Sequence, residues 1–120
     1  MVWSGINKRR FVRAVFECVV KVKKKGTPLI FQTHTENISI GGVCVILERG
    51  LFRGTAVEVE IFLPDDFPPI RCDGRVVWAL KREGHAERKP SQYDTGIEFT
   101  EISDENKGRI EHIILELLKY

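Results

Sequence analysis

Three arginines near the start of this 120-residue chain, Arg9, Arg10 and Arg13, and a short polar stretch, Asn37-Ile38-Ser39-Ile40-Gly41-Gly42, are the residues whose types and spacing suit chemistry. A guanidinium is planar, permanently charged and able to donate two parallel hydrogen bonds. It can clamp a phosphate, pair with the O6 and N7 acceptors of guanine, or stack on the face of a base. Arg9 and Arg13 are four residues apart, which in an extended segment puts both on one side, about 13 Å apart. A turn just before the first strand brings them closer, so that both can wrap one compact ligand. Asn37 and Ser39 carry short polar side chains suited to a base edge, a ribose or a phosphate. Gly41 and Gly42 permit positive φ and let a ligand approach the backbone. Ile38 and Ile40 interleave with the polar pair, which predicts that they anchor the turn in the core while Asn37 and Ser39 face outward. Each feature alone has a plainer explanation. Clustered arginines commonly form a solvated basic arm, and Asn, Ser and Gly are ordinary turn residues.

Charge distribution favours a localised anionic partner. The net charge is +2, yet eight basic residues against one acid, Glu17, stand between Lys8 and Lys25, leaving that segment at +7 and the remainder at −5. Such a patch on a nearly neutral protein suits a compact anion better than a long polyanion. Catalysis finds little support. His34, His85 and His112 fall on a strand, a charged loop and a helix without metal-ligand spacing, and no Gly-rich phosphate loop leads into a helix. Neither an enzyme nor a metal or cofactor protein is therefore expected. Cys18, Cys44 and Cys72 are odd in number, widely spaced and each set in an apolar run, so they read as buried small hydrophobes in a reduced compartment. No run approaches the ~18 apolar residues of a membrane span, and the first residues lack a signal-peptide core, so a cytoplasmic location is expected. In that compartment the N-glycosylation pattern at Asn37-Ile38-Ser39 is never used.

The elements that must position these residues are mostly strands. Residues 1–8 lack periodicity and read as an arm, leaving 9–120 as one domain. Residues 12–23 alternate, with Val12, Ala14, Phe16, Cys18, Val20 and Val22 on one side. Lys24 to Pro28 punctuate a hairpin into a second strand, Leu29 to Glu36. Asn37–Gly42 then links to the apolar run Val43–Leu47. A fourth strand, Thr55–Leu63, points Val57, Val59, Ile61 and Leu63 inward. After a break at Pro64–Pro69, Ile70–Leu80 places Ile70, Cys72, Gly74, Val76, Trp78 and Leu80 on one side. Lys81–Pro90 reads as an exposed loop, and Tyr93, Thr95, Ile97 and Phe99 mark a sixth strand. Ser103 suits a helix N-cap, with Asp104 and Glu105 at the positive end of the helix dipole. Ile110, Ile113, Ile114, Leu117 and Leu118 form a helical stripe that packs on the barrel or joins two copies of the chain. The expectation is all-β: a six-stranded antiparallel β-barrel with a C-terminal α-helix, closure removing the sheet edges.

Arg-x-x-x-Arg at Arg9 to Arg13, followed after two strands by Asn-x-Ser-x-x-Gly at Asn37 to Gly42, resembles the PilZ domain family. The Arg9-Arg10 doublet is similar to that family's usual form, and Gly74-Arg75-Val76-Val77-Trp78 and Thr95-Gly96-Ile97-Glu98-Phe99 are weaker echoes. The resemblance covers about residues 8–118. It implies a receptor for the bacterial second messenger cyclic di-GMP, with Arg9 and Arg13 on guanine and phosphate and Arg10 on the phosphates. Asn37, Ser39, Gly41 and Gly42 would line the guanine and ribose side. Trp78 borders the site in some relatives, although its alternation here puts it in the core. The resemblance further implies an N-terminal arm that reorders on binding and a downstream protein partner, in a monomer or dimer. Two other readings compete. A ligand-free adaptor would usually lack the arginines that this chain keeps. A nucleic-acid-binding small barrel would interleave exposed aromatics with its basic residues, whereas Phe11 and Phe16 are the only ones nearby and Phe16 faces inward.

Overall fold

The computed structural model describes residues 17–82 and 91–117. Arg9, Arg10, Arg13 and the arm expected at residues 1–8 lie outside the described residues.

Six antiparallel strands close on themselves: β1 (Val19–Lys24), β2 (Ile30–Ser39), β3 (Gly42–Leu47), β4 (Ala56–Phe62), β5 (Ile70–Lys81) and β6 (Tyr93–Glu101). Their order around the barrel is β1-β2-β3-β6-β5-β4, and β1 pairs with both β2 and β4. Alternation explains the closure. Val20, Val22, Val57, Val59 and Ile61 all point inward and are buried, each worth roughly 1.5–3 kcal/mol of hydrophobic stabilisation. Ile38, Val43, Ile97 and Val76 form one buried row running across β2, β3, β6 and β5. The β1–β2 turn closes with Lys24 N–H donating to Leu29 O at 3.1 Å, and Gly26 takes φ 78° there. Glycine adopts that left-handed backbone more readily than residues that carry a Cβ.

The C-terminal helix α1 spans Asp104–Leu117. Ser103 caps it as expected, its Oγ accepting from Asn106 N–H at 3.1 Å. Ile110 and Ile114 are buried in the barrel's core cluster, with Ile113 packed against it. Leu117, counted in the helical stripe by spacing, is 44% exposed. Arg109 ties α1 to the β4–β5 loop. Its Nη2 donates to both Asp65 carboxylate oxygens, at 3.0 and 3.2 Å, and its guanidinium sits 5.7 Å from the Phe67 ring centroid. Among the described residues no helix is long and apolar enough to cross a membrane.

Three features depart from the sequence expectation. Strand β2 runs on through Asn37, Ile38 and Ser39, so the polar motif is the end of a strand and a tight hairpin, and the linking loop shrinks to Ile40 and Gly41. Register shifts occur between Thr35 and Asn37 on β2 and between Val76 and Trp78 on β5. Each leaves an extra residue, Glu36 or Val77, which reverses the alternation beyond it. Trp78 and Leu80, expected inside with Val76, therefore emerge on the outer face.

Candidate functional site: the outer face of the β2–β3 hairpin

Hairpin pairing sets the geometry of the motif. Ser39 lies opposite Gly42, Ile38 opposite Val43 and Asn37 opposite Cys44. Because directly opposed residues share a face and Ile38 and Val43 are fully buried inside, Asn37 and Ser39 belong to the outer face. Ser39 is nevertheless only 2% exposed, and its Oγ accepts from Gly41 N–H at 3.2 Å. Its hydroxyl thus shapes the hairpin. Gly41 O accepts from Phe99 N–H at 2.9 Å, fastening the turn to β6. Among the described residues the glycines with positive φ are Gly26 and Gly54. Gly41 and Gly42 therefore turn the chain without a left-handed backbone, and Gly42 is buried at the start of β3.

Register carries this face across two more strands. Gly42 pairs with Glu98, and Glu98 with Arg75; Cys44 pairs with Gly96, and Gly96 with Trp78. Two outer rows result, Ser39–Gly42–Glu98–Arg75 and Asn37–Cys44–Gly96–Trp78. Gly42, Cys44 and Gly96 are the small residues of these rows, and the indole of Trp78 lies over Gly96. A Cβ at Gly96 would stand 2.3 Å from Trp78 Nε1 and 2.4 Å from Cε2. Arg75 Nη2 donates to Glu98 Oε1 at 2.8 Å at the far edge. Beyond the other row, Arg82 bridges Asp94 at 3.0 Å and Glu36 at 2.6 Å. The Asp94 hydrogen bond raises the Arg82 pKa and keeps the guanidinium charged. Glu36 is the bulge residue beside Asn37, so this bridge holds the strand where the motif begins.

The structure brings Asn37, Ser39, Gly41, Gly42 and Trp78 to one face. Arg9, Arg10 and Arg13 lie outside the described residues. Sequence reasoning passed over Gly96, Glu98 and Arg75 as site neighbours, although all three fall within the two weaker echoes; only strand pairing places them beside the hairpin. The basic stretch Lys21–Lys25 is partly neutralised. Lys23 pairs with Glu58 at 3.1 Å, Lys25 with Asp73 at 2.9 Å, and Lys21 sits over the Phe62 ring. Two clefts lie elsewhere. One of about 470 Å³ is lined by Lys23, Glu58, Arg71 and Asp73; the other, about 480 Å³, has Glu17, Glu36 and Glu48 on its walls. The second is too acidic to attract an anion.

The thiols are structural. Cys18, Cys44 and Cys72 are buried, and burial pushes the Cys72 thiol up to about 12 and that of Cys18 upward. Both are protonated and poorly nucleophilic at neutral pH. Among the described residues no group of three or more His, Cys, Asp or Glu is placed to hold a metal ion.

These features define a small closed barrel with a candidate ligand platform on its outer wall. The sequence matches the PilZ domain family over residues 7–116, and the chain belongs to that family. Comparison with curated protein sequences finds no match. Among solved structures, the chain is similar to the PilZ domain of Escherichia coli YcgR with c-di-GMP, at 16% identity and TM-score 0.70, covering 92% of this chain and 91% of that one. It is also similar to the K. pneumonia MrkH–c-di-GMP complex, at 19% identity and TM-score 0.73, covering 92% of this chain and 51% of that one. Bacillus subtilis inhibitor of motility (MotI/DgrA) is 20% identical at TM-score 0.70, covering 91% of this chain and 50% of that one. The chain thus spans about half the length of the MotI/DgrA and MrkH chains.

Proposed function

We propose that this chain is a receptor module for cyclic di-GMP, binding the messenger on the outer face of the β2–β3 hairpin. The observation that carries the reading is the pairing that puts Asn37, Ser39, Gly42 and Trp78 on one outer surface, within a family match that also includes Arg9 to Arg13. The ligand is a dianion with two guanines, so it needs cations for its phosphates and both donors and acceptors for its base edges. Arg9, Arg10 and Arg13 supply the cations from the N-terminal side. Asn37 and Ser39 supply the short polar contacts, and Trp78 offers an aromatic flank. The similar YcgR PilZ-domain and MrkH structures hold c-di-GMP, which supports the same ligand here. In this reading the arm before the barrel orders on binding and presents a new surface to a protein partner. No catalytic step is involved.

Ion pairs at Lys23 and Lys25 weigh against a nucleic-acid track, because those lysines already hold carboxylates. Calorimetric titration of the chain with cyclic di-GMP tests the proposal. The unmodified chain should bind, and Arg9→Ala with Arg13→Ala should weaken binding by at least tenfold, each arginine contact to a base or phosphate being worth roughly 1–3 kcal/mol. Hydrogen exchange before Val12 should slow with ligand. Equal binding by the variant would sink the site.

A further inference from the structure

We propose that Glu98, held by Arg75, is the guanine-reading edge of this platform. The inference rests on the cyclic di-GMP reading and adds the group that discriminates the base.

Guanine presents N1–H and N2–H donors side by side, and only an acceptor with two oxygens meets both at once. Position 37 is an asparagine, whose amide offers a single acceptor oxygen. Ser39 Oγ already accepts from Gly41 N–H. The hairpin therefore lacks a two-oxygen acceptor of its own. Glu98 stands on the same outer row as Ser39, opposite Gly42. Two strand spacings, about 10 Å, separate Ser39 from Glu98, a span that a cyclic dinucleotide covers.

Arg75 makes this carboxylate usable. It holds Oε1 through Nη2 at 2.8 Å, fixing the side chain and offsetting its charge beside a dianionic ligand. A carboxylate has lone pairs for about four hydrogen bonds, so the ion pair leaves acceptor capacity. The pair is also exposed, at 39% for Glu98 and 53% for Arg75. Such a pair contributes little to folding. Adenine would meet the same carboxylate with its N1 lone pair and be repelled.

The test is calorimetric titration of the 120-residue chain and its Glu98→Gln variant with cyclic di-GMP and with cyclic di-AMP. Electrostatics and base reading predict opposite signs. Removing a negative charge near a dianion should tighten binding slightly if Glu98 touches nothing. Losing the two-oxygen acceptor should weaken cyclic di-GMP binding roughly tenfold or more, with cyclic di-AMP unchanged or tighter. A thermal melt close to that of the unmodified chain shows that the fold is intact. Equal or tighter cyclic di-GMP binding by the variant, or equal loss for both dinucleotides, would overturn the Glu98 assignment alone. Failure of the unmodified chain to bind cyclic di-GMP would remove the receptor reading, and this assignment with it.

Discussion

Replacing Gly96 by alanine tests the platform directly, because the structure states what the new methyl would meet. Its Cβ would lie 2.3 Å from Trp78 Nε1, 2.4 Å from Cε2 and 2.9 Å from Cδ1. Restoring an ordinary 3.4 Å contact from 2.3 Å requires the indole to retreat by about 1 Å. Gly96 is locked by pairing to Cys44 on one side and Trp78 on the other, so the ring must give way. Overpacking of this kind costs roughly 1–3 kcal/mol. Alanine in a strand otherwise recovers about 0.5–1 kcal/mol over glycine. The expected result therefore changes sign with background. Gly96→Ala should destabilise the chain by roughly 1–3 kcal/mol when Trp78 is present. In a Trp78→Ala background it should be neutral, or stabilising by up to about 1 kcal/mol. Urea denaturation of the four variants closes the cycle. The chain has two tryptophans, so a Trp3→Phe background makes fluorescence report Trp78, whose emission should shift to the red as the ring moves into water. An equal cost in both backgrounds, within about 0.5 kcal/mol, would refute the placement of Trp78 over Gly96.

Two further outcomes follow from the packing and the thiols. Asp65→Asn keeps an acceptor for Phe67 N–H (3.1 Å in the parent) while removing the charge that holds the half-buried Arg109. It should lower stability by roughly 1–3 kcal/mol in urea denaturation, whereas an effect below about 0.5 kcal/mol, as at an ordinary surface site, would show that the clamp is idle. Cys72 makes stability pH-dependent at alkaline pH. Its folded value near 12 lies above the ordinary 9.0, so between those values the unfolded chain loses a proton that the native chain keeps. Stability is then fully present below pH 9 and declines as pH rises toward 12, at up to about 1.4 kcal/mol per pH unit from this group. Denaturation of the parent and Cys72→Val at pH 8 and pH 10.5 should show the variant losing less, and equal losses would refute the burial effect.

Much of the barrel was legible because alternation is a local property. Val57, Val59 and Ile61 announce an inward face from their own spacing, and they are buried where that spacing puts them. Ser103 declares its helix by the same short-range logic, since a cap needs only the N–H groups that follow it. The chemistry of the motif was also readable: Asn37 and Ser39 alternating with two isoleucines imply a polar face backed by core, and Ile38 is fully buried.

The identity of the surface opposite that motif was settled only by tertiary pairing. An extra residue at Val77 turns Trp78 from a core position to the outer wall, and a bulge is stable only against the particular partner strand that skips a pairing there. Insertion of β6 between β3 and β5 then brings Glu98 and Arg75 alongside a hairpin more than thirty residues earlier in the chain. Lys23 and Lys25, a basic run in the sequence, become half of two ion pairs once β4 and β5 lie beside them. In each case a strand's own residues specify which of its side chains share a face. Which strands face one another, and so which residues become neighbours, depends on closing the barrel, and a slip of a single residue reverses every assignment beyond it.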